Sequence, residues 1–422
     1  MQKAIVRKPR LFTEGNLFGV SSTIQVPDRE FTLFYKASKG PLLPSIEPFF
    51  AAALLPAMRA HVPLHLEGPV SGRLLKAAKQ IQDIYHIWDE EFLPISITAD
   101  AETDAVQSPG RGVASFLSGG VDSFYTILKH LDEIDQLITL HGFVFRLADR
   151  DVQAEHAGSL REVARELGKP LVEVETNIQD VTEGLVDWKL MGAAVLSSLA
   201  ALMAPFVRMV YLPATHTYAQ HIDPSLPPWG SHPLLDPLWS TEAVEIIHDG
   251  CEATRYDKAR LLGTSATALR HLRVCFGYRE AHNKGIYNCG HCEKCLRTHV
   301  ALYLAGVLDR CETFPKTLDL DLVANIPNGS QYARLFINEN LEHAERLHAD
   351  PALIAALRHA LTRPRPGEQA IAEGADSLDD RQRLEAENQT LKSTVRALYQ
   401  SRSWRLTAPL RTLGDMARRL RS

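Results

Sequence analysis

The stretch Ser118-Gly119-Gly120-Val121-Asp122-Ser123 decides how the middle of this chain is read. It follows an apolar run, Val113-Ala114-Ser115-Phe116-Leu117, and leads into the helically patterned Phe124-Tyr125-Thr126-Ile127-Leu128-Lys129. A strand, a glycine turn and a helix start in that order build an anion site from backbone. Paired glycines let the chain turn tightly and expose N–H groups, and the helix adds its positive end and unpaired amides. Ser118 and Ser123 supply hydroxyl donors, and Asp122 is placed to orient a metal ion or to cap the helix. No Gly-Lys-Ser/Thr follows, as a Walker loop requires, and the spacing is not the GxGxxG of a dinucleotide fingerprint.

Downstream, strand and helix patterns alternate. Residues 137–145 read as a buried strand, 152–167 as an amphipathic helix, 171–175 as a strand, 190–203 as an Ala/Leu-rich helix and 209–213 as a strand. Such alternation predicts an α/β fold built on a doubly wound parallel sheet, with ligands bound beyond the carboxyl ends of its strands. Ser118 to Ser123 lie at the first such end. Phe145 closes the second strand, and Thr215 and His216 follow the fourth, so these three join the loop as candidate nucleotide contacts. The proline-dense stretch 227–242 carries Trp229, His232, Asp236 and Trp239 and reads as a rigid, irregular loop. It either contacts substrate or is anchored to the domain by its tryptophans.

Upstream, 31–35, 61–66 and 94–98 have strand patterning and 70–87 has helical spacing, which predicts an N-terminal α+β domain over 1–108. Ser108-Pro109-Gly110-Arg111-Gly112 marks its boundary. The nucleotide domain is expected over 109–320, a helical segment over 321–366, and a short coiled coil with a basic amphipathic tail over 367–422.

The cysteines cluster late. Cys275 is followed by Cys289, Cys292 and Cys295, a spacing that lets four thiolates close a tetrahedral zinc site. An iron–sulfur cluster uses comparable spacings and stays open. Lys294, Arg297 and Arg279 are candidates to offset the thiolate charge, and Cys251 and Cys311 read as ordinary small buried residues.

SGGVDS resembles the signature loop of the PP-loop ATP pyrophosphatases, which cleave ATP between its alpha and beta phosphates. A PP-loop region, then residues 256–263, then a Cys…CGxCxxC-Leu-Arg cluster is similar to the 7-cyano-7-deazaguanine synthases of queuosine biosynthesis. The resemblance covers roughly residues 111 to 305. It implies the adenine nucleotide alpha hydrolase-like fold, with ATP and Mg²⁺ as cofactors and a structural Zn²⁺ on Cys275, Cys289, Cys292 and Cys295. Ser118, Gly119, Gly120, Val121, Asp122 and Ser123 would hold the phosphates, with Ser118, Asp122 and Ser123 the catalytic candidates. The implied activity is a ligase that adenylates a carboxylate or carbonyl oxygen, releases pyrophosphate and lets ammonia displace AMP. The added N- and C-terminal regions depart from that family, and 227–242 does not map onto its pocket, so the chemistry carries over better than the substrate.

Leu384, Asn388, Leu391, Val395 and Leu398 alternate four and three apart, as in a short coiled coil or a plain amphipathic helix. Six arginines against one acid over 401–422, with Trp404, suit an anionic membrane surface or a solvated tail. The segment Ser401-Arg402-Ser403-Trp404-Arg405-Leu406 resembles a tail of bacterial glycosyltransferases from surface-polysaccharide pathways. That favours, as rivals, an amidotransferase acting on a glycan precursor or peptide carboxylate, and an ATP-binding scaffold without turnover. The 422 residues carry a net charge of −5, which argues against general nucleic-acid binding. The expected partners are a small-molecule carboxylate or amide, an ammonia-supplying protein, a second copy through 380–400, and a membrane surface touched by the tail. No secretory signal is legible at the start and no run reaches the length of a membrane span, so a cytoplasmic location, peripheral at the inner membrane face, is expected.

Overall fold

In the computed structural model, which describes residues 2–27, 29–104 and 110–364, β-strand formation follows two distinct burial patterns. The N-terminal strands alternate. They are β1 (Ala4–Val6), β2 (Arg10–Glu14), β3 (Leu17–Val26), β4 (Arg29–Ala37), β5 (Leu64–Ser71) and β6 (Ile97–Thr103). In β4, for example, Leu33, Tyr35 and Ala37 are buried while their neighbours are not, the mark of a sheet with one covered face. The central strands β7 (Gly112–Phe116), β8 (Gln136–His141), β9 (Leu171–Thr176), β10 (Val207–Pro213) and β11 (Glu245–Asp249) complete the described set. Val113 to Phe116 of β7 and Gln136 to Thr139 of β8 are buried without interruption, because helices cover both faces.

All eleven strands form one mixed sheet in the order β11-β10-β7-β8-β9-β4-β3-β1-β5-β6, with β2 paired to β3. From β11 to β9 every pairing is parallel. The fold is therefore α/β, with a large sheet of mostly parallel strands flanked by helices. Alternate residues of β7 serve different cores. Val113 joins Phe124, Ile127, Met209 and Leu262 on one face, and Ala114 and Phe116 join Ala194, Val195 and Leu199 on the other. The sequence order of the central strands reverses between β7 and β10, the crevice in which such sheets bind ligands.

The sheet does not stop at the N-terminal region. β4 pairs antiparallel with β9, Tyr35 opposite Thr176 and Ala37 opposite Val174. The helix Glu47–Arg59, nearly all apolar, packs on Trp188–Leu202 and shares its core. The helix Gly72–Trp88 that follows β5 also reaches the central half: Arg73 N–H donates to Glu242 Oε1 at 2.6 Å, its guanidinium donates to the Thr241 carbonyl at 3.2 Å, and Tyr85 Oη donates to the Leu190 carbonyl at 3.0 Å. Residues through Thr362 belong to one compact unit.

Several elements differ from the sequence expectations. Gly142, at φ +88°, turns the chain after His141, so β8 ends there and Phe145 lies beyond the strand in a turn. The helical segment expected over 321–366 carries the short helix Leu320–Ala324 and two longer ones, Gln331–Arg346 and Pro351–Thr362, the last two separated where His348 takes φ +51° and Pro351 opens the second. The strand expected at 94–98 runs from Ile97 to Thr103. Among the described residues no helix is long and apolar enough to cross a membrane. The coiled coil expected at 380–400, the basic tail at 401–422 and Ser108-Pro109 of the expected domain boundary lie outside the described residues.

Candidate nucleotide site and metal centre

Ser118, Gly119 and Gly120 leave β7 and open the helix Val121–Lys129 at the strand-order reversal. Gly119 has φ +75°, a conformation that only glycine adopts without strain, and a Cβ there would sit 3.4 Å from Leu160 and 3.5 Å from His156. Gly120 is the N-cap residue, and no side chain caps the helix, so its first amides face outward without a side-chain partner. Asp122 is thus not the cap. Ser123 Oγ accepts from Ser118 N–H at 3.3 Å and from Ser118 Oγ at 3.2 Å, and donates to the Gly120 carbonyl at 3.1 Å. Ser123 is buried and shapes the loop, whereas Ser118 is exposed beside it. The Val121 side chain is buried in the core, which leaves only its backbone for a ligand.

The loop is held from two sides. Arg273 N–H donates to the Gly119 carbonyl at 2.9 Å, and His156 hydrogen-bonds the Ser118 backbone. Burial, then the Arg273 cation, pushes His156 down to about 3, so it stays neutral. Phe145 packs edge-on to His156 at 5.1 Å and to Tyr278 at 4.6 Å, with the Arg273 guanidinium 5.6 Å above its ring. Its contact with the loop therefore runs through His156 and Arg273.

Asp122 points into a cluster of cations. Its Oδ1 accepts from Lys258 Nζ at 2.9 Å and Arg255 Nη1 at 3.2 Å, and its Oδ2 from Arg255 Nη2 at 3.4 Å. Burial works to raise this carboxyl, but Arg255 and Lys258 prevail and hold it at about 2. Lys258, 1% exposed, also donates to the Ala214 carbonyl at 2.6 Å. It therefore fastens the lip after β7 to the lip after β10. The helix Arg255–Leu262 presents both cations on one face, positioned by a capping box between Thr254 and Asp257.

Two more cations come from the helix Glu293–Leu304. Arg297 stacks on Phe336 at 3.8 Å and pairs with Glu293 at 2.9 Å. Its burial, with Arg255 adding to the effect against the opposing pull of Glu293, lowers it to about 10. Lys294 lies 4.2 Å over Phe276, and burial followed by Arg297 lowers it to about 8. Asp122 and Arg255 act on both, so their charge reaches the loop as well as the neighbouring thiols. Arg279, the third expected counter-ion, pairs with Asp149 and Asp151. Buried guanidinium nitrogens without partners, Nε of Arg255 and Arg297 and Nε and Nη2 of Arg273, surround the loop. Arginine N–H groups left over in a buried cluster are placed for an anion.

His216 lies in an aromatic stack, 4.7 Å from Tyr332 and 5.7 Å from Phe336, with Trp229 edge-on at 5.3 Å. Burial, then His221, lowers it to about 3. Thr215 is half-buried beside Ala214. In the stretch 227–242, Trp239 packs on Phe50, and Asp236 accepts from Ser231 Oγ and the His232 amide, so this segment is anchored.

Cys275, Cys289, Cys292 and Cys295 offer four Sγ atoms all within 4.8 Å of one another. Cys289 N–H donates to Cys275 Sγ and Cys292 N–H to Cys289 Sγ, each at 3.3 Å, and Cys289 Sγ lies 3.8 Å from Cys295 Sγ. One tetrahedral ion with Zn–S bonds of about 2.3 Å sets its sulfurs about 3.8 Å apart. The knuckle is positioned to hold a metal such as zinc. A multi-iron cluster interposes several atoms between its ligands and would spread them further. Cys292 is the N-cap residue of Glu293–Leu304, so the knuckle fixes the helix that carries Lys294 and Arg297. Cys311 is a buried lone thiol as expected, but Cys251 is not alone: His221 and His248 lie against it.

The sequence reading missed Arg255, Lys258, Arg273 and His156. Its available signal was the Thr254-x-x-Asp257 capping box, which puts Arg255 and Lys258 three apart on one helical face. Comparison with protein-family models, curated proteins and solved structures yields no match to this chain.

Proposed function

We propose that the protein is an ATP-dependent, adenylating ligase with its phosphate site on Ser118 to Ser123. The observation that carries this reading is the uncapped glycine loop at the strand-order reversal, with Arg255 and Lys258 on its Asp122 and Arg297 close behind them. A dense anion with a planar base fits it: phosphates on the amides and cations, and the base towards the aromatic residues after β10. The oxygen of a substrate carboxylate or amide attacks the α-phosphorus, and the α–β anhydride bond breaks to release pyrophosphate. Ammonia then adds to the activated carbon, and AMP leaves with the electron pair of the carbon–oxygen bond. The chain's contribution is to position and to neutralise developing charge, which needs no side-chain nucleophile. Ser118 donates to a phosphate oxygen, Ser123 holds the turn, and Lys258 and Arg255 share their charge between Asp122 and the ligand.

Mg²⁺ accompanying ATP would reduce repulsion among the phosphates. Asp122, the carboxylate the sequence offers for it, has both oxygens on Arg255 and Lys258, so no step is assigned to a metal held there. The test is product identity. Incubation with ATP, Mg²⁺, an ammonium salt and candidate carboxylic acids should yield AMP and pyrophosphate, and Ser118→Ala should slow the reaction while the fold is kept. ADP and phosphate as products would refute the reading.

A further inference from the structure

A second group of metal-binding side chains lies at the carboxyl ends of β10 and β11. His221 ends the short helix Tyr218–His221, His248 belongs to β11, and Cys251 follows that strand by two residues. The Tyr218 amide donates to the Cys251 carbonyl at 3.0 Å, which brings the two segments together. One ring nitrogen from each histidine and Sγ of Cys251 all lie within 4.8 Å of one another. Nε2 of His221 and Nε2 of His248 are buried with no hydrogen-bond partner. A buried polar atom is costly to leave unpartnered, and both histidines that lie against Cys251 carry one.

A buried carboxylate holds one of the two imidazoles. His248 Nδ1 lies 2.6 Å from Asp236 Oδ2, and Asp236 is fully buried. Asp236 accepts in addition from Ser231 Oγ at 2.8 Å and from the His232 amide at 3.1 Å, so it acts as an acceptor on both oxygens. The proton therefore sits on Nδ1 of His248, and the Nε2 lone pair is left for a metal. A carboxylate that fixes the ligating tautomer of a histidine is the usual support of a zinc ligand. His232 lies next to His221 but does not join the set: its Nδ1 accepts from the Leu234 amide, and it hydrogen-bonds the His221 backbone.

We propose that His221, His248 and Cys251 hold a second zinc ion, oriented through Asp236, with one coordination position left to solvent or substrate. Imidazole nitrogens and a thiolate are ordinary ligands of Zn²⁺. Bonds of about 2.0–2.3 Å place tetrahedral ligands about 3.3–3.8 Å apart, inside the 4.8 Å that bounds this group. Three protein ligands with a vacant fourth position is the pattern of zinc that does chemistry, unlike the closed four-cysteine set. The position supports that role: a Cβ on Gly250, next to Cys251, would lie 3.7 Å from Lys258 Nζ, the amine that binds Asp122. The proposal stands on the side-chain geometry alone and is independent of the ATP reading.

The test is metal stoichiometry in the full chain, purified without added metal, desalted, and then titrated with Zn²⁺ alone against a competing chelator. Wild type should reach two zinc ions per chain. Cys251→Ser and His248→Ala should each reach one, and so should Cys292→Ser through loss of the other site. Asp236→Asn should keep two sites but bind the second ion 10- to 100-fold more weakly. Wild type saturating at one ion, or folded Cys251→Ser and His248→Ala proteins that still reach two, would overturn the proposal. Should those variants not fold, zinc X-ray absorption of loaded wild type decides instead. A mixed nitrogen and sulfur shell supports the second site, and a sulfur-only shell overturns it.

Discussion

Asp122→Asn isolates charge from shape at the centre of the cation cluster. The folded carboxyl lies at about 2 against an ordinary 3.8, because Arg255 and Lys258 outweigh the cost of its burial. At 1.36 kcal/mol per pH unit, ionised Asp122 contributes about 2–3 kcal/mol to stability at neutral pH. The amide keeps the size and loses that contribution, leaving two buried cations without their shared counter-charge. The folded value lies below the unfolded one, so the contribution is full above pH 5 and is lost as pH falls from about 4 towards 2. By pH 3 about half should remain. Urea melts of wild type and Asp122→Asn at pH 7, 5, 4 and 3 measure this, urea being preferable to guanidinium because it does not screen charge. The expected gap is about 2–3 kcal/mol at pH 7 and 5, narrowing by pH 3. A gap under about 0.5 kcal/mol at pH 7, or one equally large at pH 3 and 7, would refute the electrostatic account.

Gly119→Ala forces a side chain onto φ +75°; it should cost about 1 kcal/mol and weaken ATP binding at least tenfold by calorimetry. Cys292→Ser should lose the knuckle metal and, by limited proteolysis, open the segment around residues 275–304 while β1 to β9 stay protected. A chain lacking residues 1–108 should fail to elute as a monomer in size-exclusion chromatography, because β9 loses its neighbour and the Trp188–Leu202 helix loses the cover of Glu47–Arg59.

Local patterns carried the parallel half of the sheet. β7, its loop and its helix are contiguous, and the Val, Ile and Leu runs of β8 and β9 need no distant partner to be recognised. The four cysteines were legible because a knuckle has a fixed spacing. Other features depend on residues far apart in the chain. Glu47–Arg59 carries Pro48 and Pro56, which hide a helix that survives because its apolar faces are buried against Trp188–Leu202. β11 is only Glu245-Ile246-Ile247-His248-Asp249 behind a proline-dense loop, too short for periodicity to show. The Asp122 carboxylate draws its partners from more than 130 residues away. His221, Asp236, His248 and Cys251 have no motif spacing at all, and only the crossing of two loops joins them.

The antiparallel seam between β4 and β9 also bears on how the chain is made. Tyr35 pairs with Thr176, so β4 leaves the ribosome 141 residues before its partner exists. At synthesis rates of about 5–20 residues per second, that wait lasts about 7–28 s. Throughout it, the N-terminal strands carry an unpaired edge next to the apolar Glu47–Arg59 helix, whose cover on Trp188–Leu202 is synthesised later still. The nascent chain therefore has a defined window of exposure to chaperones and to misassembly, which closes when β9 arrives. A pause in translation before residue 171 would lengthen it, and faster synthesis would shorten it.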